Sequence, residues 1–225
     1  MAAPPHFTPK LFKFLRELKR HNERAWFQAN KDRYIAEVQQ PMLRFIADFA
    51  TPLRKLAPAF EADARPVGGS MFRVYRDTRF ARDKTPYKTH ASAHFRHRQT
   101  SRDVHGPGFY FHLEPGECFI GGGLWLPEPP LLKKVRDAIA YDAGGWRKLR
   151  RKVKDIEGEA LIRPPQGYDP DHPFIDDLKK KSFFASVMFD EAEACHPRFI
   201  EHCADACVAI KPLMRFLTEA ADLDW

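Results

Sequence analysis

The sequence predicts an α+β fold: a mainly antiparallel sheet packed with N-terminal helices and a long C-terminal helix. Three observations carry this. Apolar residues recur at helical spacing through the first third, period-two alternation broken by glycine and proline occupies the middle, and helical spacing returns from Pro129 onward. No repeat, low-complexity tract or linker divides the 225 residues, so one α+β domain over 1–225 is expected.

The elements follow in order. Thr8 and Pro9 form a helix start, a capping residue followed by a proline suited to the first helical position, and Leu11, Phe12, Phe14, Leu15 and Leu18 follow. Asn22 is expected to cap a second helix carrying Trp26, Phe27, Tyr34 and Val38. After Pro41, a third helix places Phe45, Ile46, Phe49, Leu53 and Leu56 on one face, and Pro52 is expected to kink or end it. Met71–Tyr75 and Ala91–Arg96 alternate as strands do. Phe109–Glu114 and Cys118–Leu126 flank Pro115-Gly116 as a hairpin. Helices are expected from Pro129, and from Trp146 through Val153 and Ile156 to a stop at Gly158. Ser182–Phe189 reads as another strand, Asp190 with Glu193 as a capping box, and Pro197–Leu223 as a long helix bent at Pro212.

Apolar residues at 44% with 19 phenylalanines supply a sizeable core, which excludes a disordered chain, a collagen-like repeat and a disulfide-stapled miniprotein. No apolar run approaches the roughly 18 residues needed to span a bilayer. Met1–Pro9 has no signal-peptide apolar region, and four unevenly placed cysteines make no disulfide framework. A cytoplasmic protein with no membrane partner is expected.

Charge is concentrated. Arg65–His105 holds ten basic and three acidic residues, which is the whole formal excess of +7; the remainder has 27 of each. Such a local field attracts anions, although a basic surface kept for solubility is the plainer reading. The densest part runs from Arg73 through Arg76, Asp77, Arg79, Arg82, Asp83, Lys84 and Tyr87 to Lys88. Carboxylates beside guanidinium groups hold them in fixed geometry and leave other donors for a ligand. The competing reading is an ion-pair network that only shapes a loop.

Other patterns carry less. Gly121-Gly122-Gly123 inside a strand implies a bulge or a pocket wall, and the residues a Walker site requires as Lys and Ser/Thr are Gly122 and Gly123, so that site is rejected. His90, His94 and His97 have helical ligand spacing in a segment that reads as a strand, so no metal motif results and no metal ligand is assigned. His94 or His112 has a pKa suited to a general base. Cys203 and Cys207 follow an apolar helical stripe and read as core. Arg147–Lys154 carries six cations on a helix, which can grip nucleic-acid phosphates but reads more simply as a solvated face.

Two stretches resemble a known family. Asn22, Trp26-Phe27, Lys31, Tyr34 and Pro41, and above all Arg76-Asp77-Thr78-Arg79-Phe80-Ala81-Arg82-Asp83-Lys84-Thr85-Pro86-Tyr87-Lys88, are similar to the signatures of the domain-of-unknown-function family number twenty-four sixty-one. Gly108-Phe109-Tyr110, Gly122-Gly123 with Trp125 and Pro127, and Pro164–Tyr168 with Leu178-Lys179 also fit, so the resemblance covers nearly the whole chain. Arg82 stands where a lysine is common and keeps the charge; Ala81 stands where a serine is common, so no hydroxyl role is assigned there. The resemblance implies one domain and supplies no activity, substrate or cofactor.

The expectation is therefore a pocket for a phosphate- or carboxylate-bearing small molecule, with hydrolytic or transfer chemistry considered. Arg73, Arg76, Arg79, Lys84 and Lys88 would bind the anion, Asp77 or Asp83 would orient them or act as base, and His94 is a third catalytic candidate. Tyr87 would hydrogen-bond the ligand, and Trp125 or Trp26 would pack on it. No cofactor is assigned. The alternatives are nucleic-acid binding through basic patches and a non-catalytic protein-interaction module.

Overall fold

A computed structural model describes residues 4–100 and 105–225; Arg102 and Asp103 of the basic window lie outside the described residues, as do Met1, Ala2 and Ala3. At its centre is a five-stranded antiparallel sheet in the order β1 (Phe60–Glu61), β2 (Ala91–His97), β3 (Gly108–Glu114), β4 (Glu117–Leu124) and β5 (Phe183–Phe189). Register sorts the side chains by face. Ala93 pairs with Phe111 and Phe111 with Ile120, so these point one way, while Ser92–His112–Phe119 and His94–Tyr110–Gly121 point the other. The first face is fully buried and the second is polar and aromatic.

The helices are α1 (Pro9–Arg20), α2 (Arg24–Ala29), α3 (Lys31–Tyr34), α4 (Gln40–Leu56), α5 (Pro129–Tyr141), α6 (Ala143–Lys152), α7 (Ile175–Leu178), α8 (Glu191–Ala194) and α9 (Phe199–Ala220); α4 and α9 pack on the apolar face, and α1 joins the same core. Phe45 stacks on Phe111 at 4.5 Å, and Phe7 and Phe199 close on the same ring at 5.9 and 6.0 Å. Offset aromatic pairs of this kind add about 0.5–1.5 kcal/mol each beyond their buried area. Cys203 and Cys207 lie in this core, where burial pushes both thiols up. The fold is α+β, with the N-terminal helices, the Pro115-Gly116 hairpin, the β5 strand and the Asp190–Glu193 capping box where the sequence places them.

Several expectations are corrected. Lys31 to Leu56 is one helical run: α3 (Lys31–Tyr34), a π turn (Ile35–Gln39), then α4. The wide turn precedes Pro41, which has no N–H to offer a carbonyl one α-turn back. Helix α4 continues past Pro52 to Leu56, losing only one internal bond near its end. Helix α6 (Ala143–Lys152) stops before Ile156, because the chain there turns extended and Glu157 bridges to Phe184. Met71–Tyr75 is not a ladder strand. It makes single bridges, Met71 to Ala93 and Tyr75 to Tyr87, leaving the edge of β2 after Phe72 to begin a separate hairpin.

The triple glycine forms no bulge, since the β3–β4–β5 register is unbroken through it. Its reason is close approach: a Cβ on Gly122 would stand 2.8 Å from the Met214 sulfur of α9. Gly108 has the same role on the opposite face, where a Cβ would lie 2.0 Å from Nε2 of His94. Gly108→Ala is expected to cost about 1–3 kcal/mol through overpacking. Adding His94→Ala should recover part of that loss, read as the thermal midpoints of the single and double variants.

Candidate functional site

The basic stretch closes into a hairpin. Arg76 donates its backbone N–H to Pro86 (2.9 Å) and Lys88 to Val74 (2.8 Å), leaving residues 77–85 as the loop. The hairpin is moored to the helical side through Asn22 and through the Tyr87 ring. Asn22 does not cap a helix; Glu23 holds that position for α2 (Arg24–Ala29). Instead, Asn22 Nδ2 donates to the Tyr87 carbonyl (2.9 Å) and its Oδ1 accepts the Tyr87 N–H (3.0 Å), as a neighbouring strand would. The Tyr87 ring is buried and stacks on Phe27 at 4.1 Å.

Between this hairpin and the end of α1 lies an open cleft of about 560 Å³. Lys19 and Asn22 contribute from the helical side, Arg76, Asp77, Asp83 and Thr85 from the hairpin, and Tyr87 to His90 from the segment leading into β2. Of the five cations expected to bind an anion, Arg76 and Lys88 line the cleft; Arg73, Arg79 and Lys84 do not. Arg79 is exposed and engages Asp77 through two bonds, Nε to Oδ1 at 3.0 Å and NH2 to Oδ2 at 2.7 Å. The Lys84 ammonium donates to the Thr78 carbonyl at 2.9 Å, so it folds the loop. Arg73 is exposed beside Lys88.

Arg76 uses Nη1 for both Asp83 and Thr85, leaving Nε and Nη2 without a partner among the described residues. Lys88 has no carboxylate partner among them either; its ammonium sits 4.8 Å from the centre of the Phe72 ring, and burial lowers its pKa, with Arg73 adding to the effect. Asp83 is held down to about 2 by the Thr85 N–H first, then by Arg76 and the Thr85 hydroxyl. The Arg79 side chain and then its N–H hold Asp77 down to about 2. Groups so acidic are poor proton acceptors at neutral pH, and each of the two aspartates is hydrogen-bonded to a neighbouring guanidinium.

The remaining candidates lie elsewhere. His94 rests over Gly108, with Nδ1 accepting from Arg96 Nε at 3.2 Å and its ring parallel to Phe72. Trp125 follows Leu124 at the far end of β4 from Glu117 and packs on Phe184. Trp26 is half-buried between Phe14 and His21. The structure brings none of these three to the cleft lining. Sequence reasoning missed Lys19, whose place near a helix C-terminus looks like ordinary dipole compensation, and Glu114, which ends β3 beside the cleft residues Thr89 and His90. Burial pushes His90 down to about 4, and the neighbouring His112 adds to this. Burial lowers His112 as well.

Asn22→Ala removes both bonds to Tyr87 and is expected to cost about 1–3 kcal/mol of unfolding free energy in urea titration. For Asp83 the folded pKa lies below the unfolded one, so its contribution is complete above the ordinary carboxylate range and is lost as pH falls toward 2. The carboxyl ¹³C resonance of Asp83 should therefore titrate near 2, and Arg76→Ala should move that midpoint upward.

No curated protein matches the chain. The model of one family matches residues 10–216 and bears out the resemblance of the Arg76–Lys88 signature: the chain belongs to the conserved hypothetical protein family DUF2461.

Proposed function

We propose that the cleft binds a small molecule through a phosphate or carboxylate group, with Lys88 and Arg76 as its principal contacts and Lys19 facing them. The observation that carries this reading is the state of Lys88. It is a half-buried ammonium with no acidic partner among the described residues, on the wall of a cleft where two nitrogens of Arg76 also have none there. Removing a cation from water without a counter-ion is costly, and an anion in the cleft offsets that cost. Asp83 and Thr85 hold one edge of the guanidinium, so the other edge meets the ligand with little ordering left to do.

The arrangement divides the loop cations into two groups. Arg79 and Lys84 stabilise the loop, and Arg76 and Lys88 bind. In a thermal-shift screen of phosphate monoesters and dicarboxylates, at least one compound should raise the midpoint of the wild-type chain, by about 2.7 kcal/mol of stability at a hundredfold excess over Kd. Arg76→Ala and Lys88→Met should abolish the shift, while Arg79→Ala should keep it. Equal shifts in wild type and Lys88→Met would refute the reading. Stabilisation by oligonucleotides alone, falling steeply with salt, would replace it with nucleic-acid binding.

A further inference from the structure

Strand alternation places His112 and Glu114 on the polar face of β3, and the β2–β3 register, with Ala91 opposite Leu113, brings His90 beside Glu114. One ligand-type atom from each of the three lies within 4.8 Å of the other two. His112 Nε2 is 3.6 Å and His90 Nδ1 is 3.9 Å from the same oxygen, Glu114 Oε2. These separations are too long for hydrogen bonds, and they suit donors gathered around a common centre: three ligands about 2.1 Å from a tetrahedral ion stand about 3.4 Å apart.

His112 points to what occupies that centre. It is 7% exposed, and its Nε2 is buried with no hydrogen-bond partner among the described residues. A buried ring nitrogen left unsatisfied requires an explanation. The other nitrogen, Nδ1, is 3.2 Å from the Tyr110 hydroxyl. The tautomer that donates Nδ1–H to Tyr110 leaves the Nε2 lone pair facing His90 and Glu114, the arrangement in which an outer partner orients a metal-binding imidazole. Phe119 stacks on the ring at 5.0 Å and fixes its plane. Glu114 is oriented likewise: Oε1 accepts from the Thr89 hydroxyl at 2.9 Å with Lys19 at 3.8 Å, so Oε2 is left for the cluster.

We propose that His90 Nδ1, His112 Nε2 and Glu114 Oε2 form a binding site for a divalent first-row transition-metal ion at the edge of the cleft. Two imidazoles and a carboxylate are a donor set suited to zinc or iron(II). Three protein ligands leave a coordination position open on the ion, and His90 also lines the cleft. The site rests on its own three ligands and not on the anion-binding reading.

The test is calorimetric titration of the chelator-treated full chain with Zn²⁺, with Co²⁺ as a spectroscopic reporter of nitrogen ligation. One saturable ion per chain is expected, together with a raised thermal midpoint. His90→Ala and Glu114→Gln should each weaken binding at least tenfold while the circular dichroism of the fold is unchanged. His112→Ala, which opens a buried position, is read only if it folds. Arg76→Ala, which removes the anion contact, should still bind one ion per chain, at least as tightly as wild type, because it also removes a positive charge acting on His90. The pair His196, which is exposed, and His202, which is partly buried, with near-parallel rings 5.7 Å apart, supplies the control, and His196→Ala should have no effect. Absence of saturable binding, wild-type affinity in both His90→Ala and Glu114→Gln, or loss of binding in His196→Ala would each overturn the proposal.

Discussion

Everything in this molecule depends on the period-two alternation of a regular antiparallel ladder. Because β2, β3 and β4 stay in register without interruption, Phe95, Phe109, Phe111, Leu113 and Ile120 all reach one face, and Ser92, His94, Tyr110, His112 and Phe119 all reach the other. A slip of one residue in either pairing would put histidines into the phenylalanine core and expose its rings. The polar face is thus a by-product of satisfying the apolar one, and its chemistry comes from residues the core does not need. The ends of the strands complete the picture: His90 lies one position before β2 and Glu114 is the last residue of β3, so the most polar corner forms where the ladder meets the hairpin segment.

The hairpin illustrates how a dense cluster of charge resolves itself. Carboxylates and carbonyls within the loop are the nearest partners for its cations, and short loop geometry favours them over anything distant. Asp77 takes Arg79, Asp83 takes part of Arg76, and two backbone carbonyls take Lys84. Lys88 lies after the loop, on the segment held by Asn22, and makes no ion pair among the described residues. Net charge along a sequence therefore overstates the free positive charge on a surface, because part of it is matched within the loop itself.

Much of the architecture was legible from spacing alone: the helix start at Thr8-Pro9, the turn at Pro115-Gly116, the cysteines of α9 and the Asp190–Glu193 box are local patterns with local causes. Asn22 was misread because an asparagine before a helix ordinarily caps it, whereas here a long-range partner, the Tyr87 peptide, competes successfully for the amide. Residue type alone suggests Trp26 and Trp125 as ligand-packing rings and His94 as a base; in the fold Trp26 is half-buried between Phe14 and His21, His94 rests over Gly108, and Trp125 stays 58% exposed away from the cleft lining. The His90–His112–Glu114 cluster was within reach, since strand alternation pairs 112 with 114, but it requires the β2–β3 register, which no single segment contains.

The mooring of the hairpin has a consequence for how this surface can change. Asn22 grips the peptide group of residue 87, which every amino acid except proline presents identically, and ignores what hangs from it. That half of the anchorage is uncoupled from side-chain identity, while the Tyr87 ring, stacked on Phe27, supplies the half that is not. Both grips lie outside residues 77–85, so that stretch can be rewritten, lengthened or recharged while its attachment point stays put.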